Sequence, residues 1–252
     1  GAADQDTGLD IVIQPDGKII IVGETIIATA DSVMSATRLN ADGTIDTTFG
    51  TNGRFMYNGN VGVSERAYGV LVQPDGKILI SGRDNSPRNR YVIRLNADGT
   101  FDLTFGINGV FKTALGSSTF DEPEMALQAD GKIIVVGAGR NGGLTTDAFS
   151  VMRLTATGSL DTTFDTDGEA VTVIQANDRA YGVKLQTDGK IVVSGSFNNN
   201  GGMALVRYNT DGSLDTTFDT DGKATMTFPA STAIMYDFAI TQNGKITGAG
   251  YI

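Results

Sequence analysis

The chain has no cysteine, no histidine and no tryptophan in 252 residues. Without Cys no disulfide forms, so the redox compartment leaves no mark on the sequence. Without His and Cys, the usual ligand sets for zinc, haem and iron–sulfur clusters are missing. Ser-His-Asp and Cys-His catalysis are excluded within the chain for the same reason. No run approaches 18 apolar residues, so nothing reads as a membrane-spanning helix. Cations are scarce: 19 Lys and Arg stand against 29 Asp and Glu, a net charge of −10. Nucleic acid is therefore not an expected partner, since phosphate backbones are bound by basic surfaces. Docking on anionic membranes is disfavoured too. The acidity suits solubility and, weakly, divalent cations. Gly1 stands in place of an initiator Met, with no signal peptide, and reads as a processed or trimmed N-terminus.

Gly is abundant, at 33 residues, and Thr, Asn and Asp are common. Such a composition suits many short strands joined by tight turns. The chain also repeats itself. Asp-Gly-Lys-Ile occurs at Asp16–Ile19, Asp75–Ile78, Asp130–Ile133 and Asp188–Ile191, and Asn243–Ile246 is a variant. A second marker, Asp-x-Thr-Phe, ends at Phe49, Phe105, Phe164 and Phe218. Both keep a period of 54–59 residues. A period of this size means an array of one supersecondary unit.

The second unit shows the anatomy. Gly69–Gln73 is a short apolar strand, and Pro74–Lys77 is a hairpin turn. Ile78–Gly82 is almost continuously apolar and reads as a strand buried on both faces. Arg83–Asn89 is a polar loop, Arg90–Leu95 a third strand and Asn96–Thr100 a second turn, leading to a fourth strand at Val110–Thr113. Four strands with no room for a helix between them make an antiparallel meander. Such sheets bury both faces when repeated around an axis. The fold class expected is therefore all-β, a β-propeller of four-stranded antiparallel blades. A β-solenoid is the rival, but its coils are shorter and lack this hairpin pattern. About four and a half blades are expected in one repeat-built domain, 1–252. The first eight residues offer no obvious strand, and the last repeat has only two, Asp237–Ile240 and Lys245–Gly248. Open edges recruit other chains. The expectation is a part of a longer protein, or a chain completed by another copy.

The pattern Asp-Gly-Lys-Ile-x-Val-x-Gly followed by Arg-Leu-Asn-x-Asp-Gly-Ser-Leu-Asp-x-Thr-Phe-Gly resembles the bacterial delta-60 β-propeller repeat. It is well matched at Asp188–Gly195 with Arg207–Phe218 and at Asp75–Gly82 with Arg94–Gly106. Departures fall at Asn243, at Thr157-Gly158, and at Asp165 and Asp219, where Gly is replaced. The resemblance covers nearly the whole chain. It implies bacterial origin and a large secreted or surface-displayed protein, and it implies no settled activity.

The repeats act as an internal control on function. Arg38, Arg94, Arg153 and Arg207 recur in the third strand, and Asp46, Asp102, Asp161 and Asp215 recur eight residues later. A residue serving one ligand need not recur in every blade, so these read as structural bidentate pairs. The recurrent Phe reads as a plug of each blade. Variable segments, by contrast, gather at the other end: Glu24–Ser32, Arg83–Asn89, Ala138–Asp147, Ser196–Gly202 and the links between blades. Variable loops on a rigid scaffold are where binding usually lives. There, Glu65, Arg66 and Tyr68 match Asp178, Arg179 and Tyr181 two blades on, as candidates for a polar ligand such as a sugar; the plainer reading is a local ion pair beside a packed Tyr. Asp165-Thr166-Asp167-Gly168 and Asp219-Thr220-Asp221-Gly222 are candidate calcium turns through Asp165, Asp167, Asp219 and Asp221. They lack the third acid and downstream Glu of the known calcium loop, and Asp-Gly is simply a good turn. Glu122 and Glu124 flank Pro123 as ordinary exposed acids, and no residue is assigned to catalysis.

The function expected is a non-enzymatic, structural or adhesive module of the bacterial surface or of a secreted protein. Its partners would be other protein chains or copies of itself, with no cofactor unless calcium. The alternatives are a lectin-like glycan-binding module with Tyr68, Tyr181, Phe120 or Phe197 as platforms, and a carboxylate- or metal-dependent lyase or hydrolase.

Overall fold

A computed structural model describes residues 5–27, 31–59, 62–86, 88–114, 122–140, 144–228 and 231–252. Among them every regular element is a strand, and no helix is long and apolar enough to cross a membrane. The first sheet holds β1 (Gln5–Ile13), β2 (Ile19–Ile26), β3 (Ser32–Leu39) and β4 (Arg54–Tyr57). The second holds β5 (Glu65–Val72), β6 (Ile78–Asp84), β7 (Asn89–Leu95) and β8 (Val110–Ala114). The third holds β9 (Glu124–Leu127), β10 (Ile133–Gly139), β11 (Ala148–Leu154) and β12 (Glu169–Thr172). The fourth holds β13 (Arg179–Leu185), β14 (Ile191–Phe197), β15 (Gly202–Tyr208) and β16 (Lys223–Thr227). A two-stranded sheet follows, β17 (Ile234–Ile240) with β18 (Ile246–Tyr251). Each four-stranded sheet is an antiparallel meander in chain order, the blade expected from the repeat.

The start of β1 differs from expectation. Gln5–Gly8 pair with Gly23–Ile26 despite their polar sequence. Apolar patterning misses such a strand end because backbone pairing holds it, helped by the Thr25 hydroxyl, which donates to Asp6 Oδ1 at 2.7 Å. A bulge follows at Leu9. The same bulge recurs at Tyr68, Tyr181 and Tyr236, where one residue of the first strand is left over against the second.

The residues form two compact units, 1–114 with 157–159, and 115–156 with 160–252. In the first, Ile20, Val22 and Met34 of the first blade pack with Val70, Ile80 and Ile93 of the second. In the second, Ile134, Val136 and Val151 of the third blade pack with Val183, Val193 and Val206 of the fourth. The second strands β6, β10 and β14 are almost wholly buried. Their unbroken apolar runs reflect a face covered on each side.

One polar assembly recurs at the turn end of each blade. Lys18, Lys77, Lys132 and Lys190 of the Asp-Gly-Lys-Ile turn place Nζ 2.8, 3.0, 3.2 and 2.8 Å from Oδ2 of Asp46, Asp102, Asp161 and Asp215. The blade's own Arg38, Arg94, Arg153 or Arg207 donates Nε to the same oxygen at 2.6–2.8 Å. Oδ1 accepts the hydroxyl and amide of the Thr two residues on, as at Asp46 and Thr48. The pairing is thus not the bidentate fork that Arg and Asp suggest. The rest of the guanidinium reaches further. Nη1 of Arg38 donates to the Ala97 carbonyl, and Nη1 of Arg153 to the Thr210 carbonyl at 2.6 Å, each in the following blade. The guanidinium carbon lies 4.6–4.7 Å over the ring of Phe49, Phe105, Phe164 or Phe218.

The Phe plugs reach the next blade as well. Phe49 lies against Gly99, where an added Cβ would stand 2.7 Å from its ring and where φ is +83°. Only Gly meets both demands. Phe164 meets Gly212 in the same way. The assembly therefore ties the first blade to the second and the third to the fourth, and Lys, Arg, Asp and Phe are its recurring parts.

Candidate binding surface

Opposite that end lie the links and the second-to-third loops, where the candidate ligand-binding residues sit. Glu65 opens β5 and is fully buried. Both its carboxylate oxygens accept the Gly59 amide, at 3.0 and 2.9 Å, so it holds the link entering its blade. Asp178 plays the same part in the fourth blade. Its Oδ2 accepts the amides of Ile174 at 2.7 Å and Gln175 at 3.0 Å, and its Oδ1 accepts that of Asn198 at 3.2 Å. Alternation separates each acid from the Arg that follows it: Glu65 and Asp178 are buried, whereas Arg66 is exposed and Arg179 half-buried. Arg66 is half exposed and donates Nε to Glu24 of the preceding blade at 2.7 Å. Tyr68 sits on its bulge with the Arg83 guanidinium 5.7 Å from its ring. Tyr181, on the matching bulge, meets Tyr236 edge-on at 5.3 Å, and Tyr236 meets Tyr251 at 6.1 Å. Burial pushes the Tyr181 phenol up against the opposing bond from Arg179, with Glu122 adding to the rise. The two triplets lie in different units, and each acid is turned away from its own Arg and Tyr. Of the aromatic platforms, Phe197 is buried, and Phe120 lies outside the described residues.

Sequence reading missed a second buried carboxylate. Asp84, the cross-strand partner of Glu65, is fully buried. It accepts the amides of Arg88 and Asn89, both at 2.7 Å, the Asn89 carboxamide at 2.6 Å and the Tyr91 hydroxyl at 3.0 Å. Burial, then Asp84 and Glu65, drives the Tyr91 phenol well above its usual range. Tyr57 moves the same way through burial, Glu65 and Asp84. A polar residue at the end of an apolar strand was the available signal. Its chemistry is that of a loop anchor, since these bonds go to the loop it closes and to the neighbouring strand.

The candidate calcium residues stand in turns. Asp167 Oδ1 accepts the Glu169 amide at 3.0 Å, and Asp221 Oδ1 the Lys223 amide at 2.9 Å. Asp165 and Asp219 hold φ of +42° and +44°, where the first two blades have Gly. Burial, then the Asp167 and Asp211 carboxylates, pushes Asp165 up. Among the described residues no three acids are grouped as a metal site. Glu124 Oε1 accepts the amide of its neighbour Met125.

The sequence model of the DUF5122 β-propeller, a domain of unknown function, matches residues 14–49, 73–105, 128–164 and 186–218. Those four stretches make up more than half of the chain, one in each four-stranded sheet. The chain belongs to this β-propeller family. This is the delta-60 type of repeat, and each four-stranded meander is one propeller blade. Curated protein sequences give no match. Solved structures that align with the chain include a DUF4623 family protein from Bacteroides eggerthii, at 13% identity and TM-score 0.47, covering 94% of this chain and 53% of that one. An exo-β-1,3-galactanase from Clostridium thermocellum aligns at 10% identity and TM-score 0.48, over 91% and 50%. An α-L-arabinofuranosidase from Lactobacillus brevis aligns at 10% and 0.48, over 95% and 82%. The chain spans about half the length of the first two. At such identities these likenesses assign no role to any residue.

Proposed function

We propose that the chain is a non-enzymatic adhesive module of a secreted or surface-displayed bacterial protein, acting through contacts between copies of itself. The observation that carries this reading is the exposed face of β1. Ile11 is 58% exposed and Ile13 69%. The register equivalents of Ile11 in later first strands are covered, Val70 at 3% exposed, Val183 at 4% and Phe238 at 3%, and those of Ile13, namely Val72, Leu185 and Ile240, are half-buried. What covers Val70 is a blade face of this same repeat, built by Ile20, Val22 and Met34. The equivalent face of the two-stranded sheet, with Ala239, Thr247 and Ala249, is exposed, so a second copy is the occupant whose shape and chemistry fit. A contact between two different faces is heterologous, and heterologous contacts propagate into rings or filaments. The recurrent acids agree with a structural protein. Asp46 is held well below the usual carboxylate range by Lys18, Thr48 and Arg38, which suits an ion pair rather than a proton donor.

Sedimentation velocity over a range of concentrations tests the reading. Reversible self-association that disappears in Ile11→Asp plus Ile13→Asp, with unchanged circular dichroism, is the expected result. A chain that stays monomeric throughout, or associates equally well with both substitutions, overturns it.

A further inference from the structure

The second unit holds an open groove of about 500 Å³, between the β14–β15 loop and the segment following β16. Its lining includes Asn199, Asn200, Thr227, Phe228, Ser231 and Thr232. The volume lies within the roughly 300–1,000 Å³ typical of small-ligand sites. We propose that this groove binds a neutral saccharide unit.

The lining chemistry points to that class. Among the described residues that line the groove none is charged, on a protein with a net charge of −10. Carboxamides and hydroxyls both donate and accept, as neighbouring hydroxyls of a sugar require. Phe228 adds the apolar surface on which the C–H face of a pyranose rests.

The loop is also built at a conformational cost. Asn198, Asn199 and Asn200 hold φ of +54°, +55° and +66° in succession. Left-handed non-Gly residues are disfavoured, and a run of three persists only where surrounding structure over-determines it. Here it does. The fully buried Asp178 accepts the Asn198 amide, Gly201 N–H donates to the Asn198 carbonyl at 3.0 Å, and Ala233 N–H donates to the Asn200 carbonyl at 2.6 Å. The buried Ser196 hydroxyl donates to Asn200 Oδ1 at 2.7 Å. That bond orients the carboxamide, whose NH₂ is a donor for a sugar oxygen. The corresponding loop of the second blade has one left-handed residue described, Arg88, and carries its charge. The run of three left-handed Asn is thus not shared by the described part of the second blade's loop. The groove stands independently of the contact between chains.

The test is binding of the 252-residue chain to an array of neutral and charged glycans, followed by NMR titration with galactose, glucose, mannose and N-acetylglucosamine. Saturable binding of a neutral sugar in the millimolar range is expected, with shifts at the side-chain amides of Asn199 and Asn200. Asn199→Gly keeps the left-handed backbone and removes the amide; Phe228→Leu keeps an apolar side chain and removes the ring. Each should weaken binding about tenfold or more while thermal unfolding stays near that of the parent. No binding of neutral glycans, binding confined to charged ones, or binding that both variants leave unchanged overturns the proposal.

Discussion

The two ends of a blade are built on opposite plans. At the turn end, Lys, Arg, Asp, Thr and Phe make one assembly, repeated four times with nearly the same distances. At the loop end each blade solves its own problem: Asp84 anchors one loop through Asn89 and Tyr91, and Asp178 another through Asn198. Residues that recur hold blades together, because every blade needs holding. Residues that do not recur are free to meet something particular. The strongest side-chain chemistry of this protein, its buried ion pairs, is therefore the least informative about ligands. The neutral amides of a single loop are more informative.

Acid should break the turn end in all four blades at once. Asp46 is lowered by Lys18 and Thr48, and Asp215 by Lys190 and Thr217. Burial pushes Asp102 and Asp161 up, but their Thr, Lys and Arg partners outweigh it and leave both well below the usual range. A folded-state value below that of the unfolded chain stabilises the protein above about pH 4, the range of unfolded Asp. That contribution is lost as pH falls through the folded values. The urea midpoint should therefore hold between neutrality and about pH 4.5 and fall steeply below it. Asp102→Asn should reduce the slope by about one proton. A midpoint indifferent to acid would refute the assignment.

Next in size is Asp102→Ala at neutral pH. It leaves Arg94 and Lys77 without their shared carboxylate at a largely buried site. Stranding one side of a buried ion pair costs about 3–5 kcal/mol, readable in urea unfolding. A loss below about 1 kcal/mol would mean that water replaces the carboxylate, and that the packing of the Phe plugs carries the end alone.

The turn end was legible in the sequence because recurrence marks it. The meander, the buried second strands and the Arg–Asp pairing all followed from residues that return every 54–59 positions. The Lys of Asp-Gly-Lys-Ile recurs just as faithfully, yet it reads first as a turn residue. Only the folded hairpin carries it to an Asp 25–29 residues away. The loop end was less legible. Glu65 and Asp178 look like ligand groups until strand alternation turns them inward onto the links. Asn198-Asn199-Asn200 reads simply as loop, because its left-handed backbone is imposed from outside by Asp178 and Ala233. Distant contacts leave no local pattern.

A smaller effect, of opposite sign, is expected where the repeat is imperfect. Asp165 occupies a left-handed position that is Gly50 and Gly106 in the first two blades. It is crowded by Asp167 and Asp211, which with burial raise its carboxyl. A group raised in this way is ionised at neutral pH at some expense to the fold. Asp165→Gly should remove both the backbone strain and the repulsion, raising stability by about 0.5–1 kcal/mol. A loss of stability in thermal melts would give the Asp165 carboxylate a favourable partner instead.

The smallest effect separates burial from distance. Within the second unit, Lys190 lies 2.8 Å from Asp215 and Lys184 lies 3.1 Å from Asp237. By length alone the two pairs are alike. Yet the side chains of Lys190 and Asp215 are 28% and 3% exposed, whereas those of Lys184 and Asp237 are 46% and 66% exposed. Water screens the second pair and leaves both charges solvated when it is broken, so Lys184→Ala should cost less than about 1 kcal/mol. Added salt should shrink even that difference, because exposed charges are screened over a Debye length of about 10 Å at 0.1 M. Lys190→Ala should cost more and respond less to salt, since Asp215 would stay buried beside Arg207 with one donor fewer. Equal losses for the two Lys variants, measured by urea unfolding at low and high salt, would place the stability of the blade in pairwise distance and not in the buried assembly.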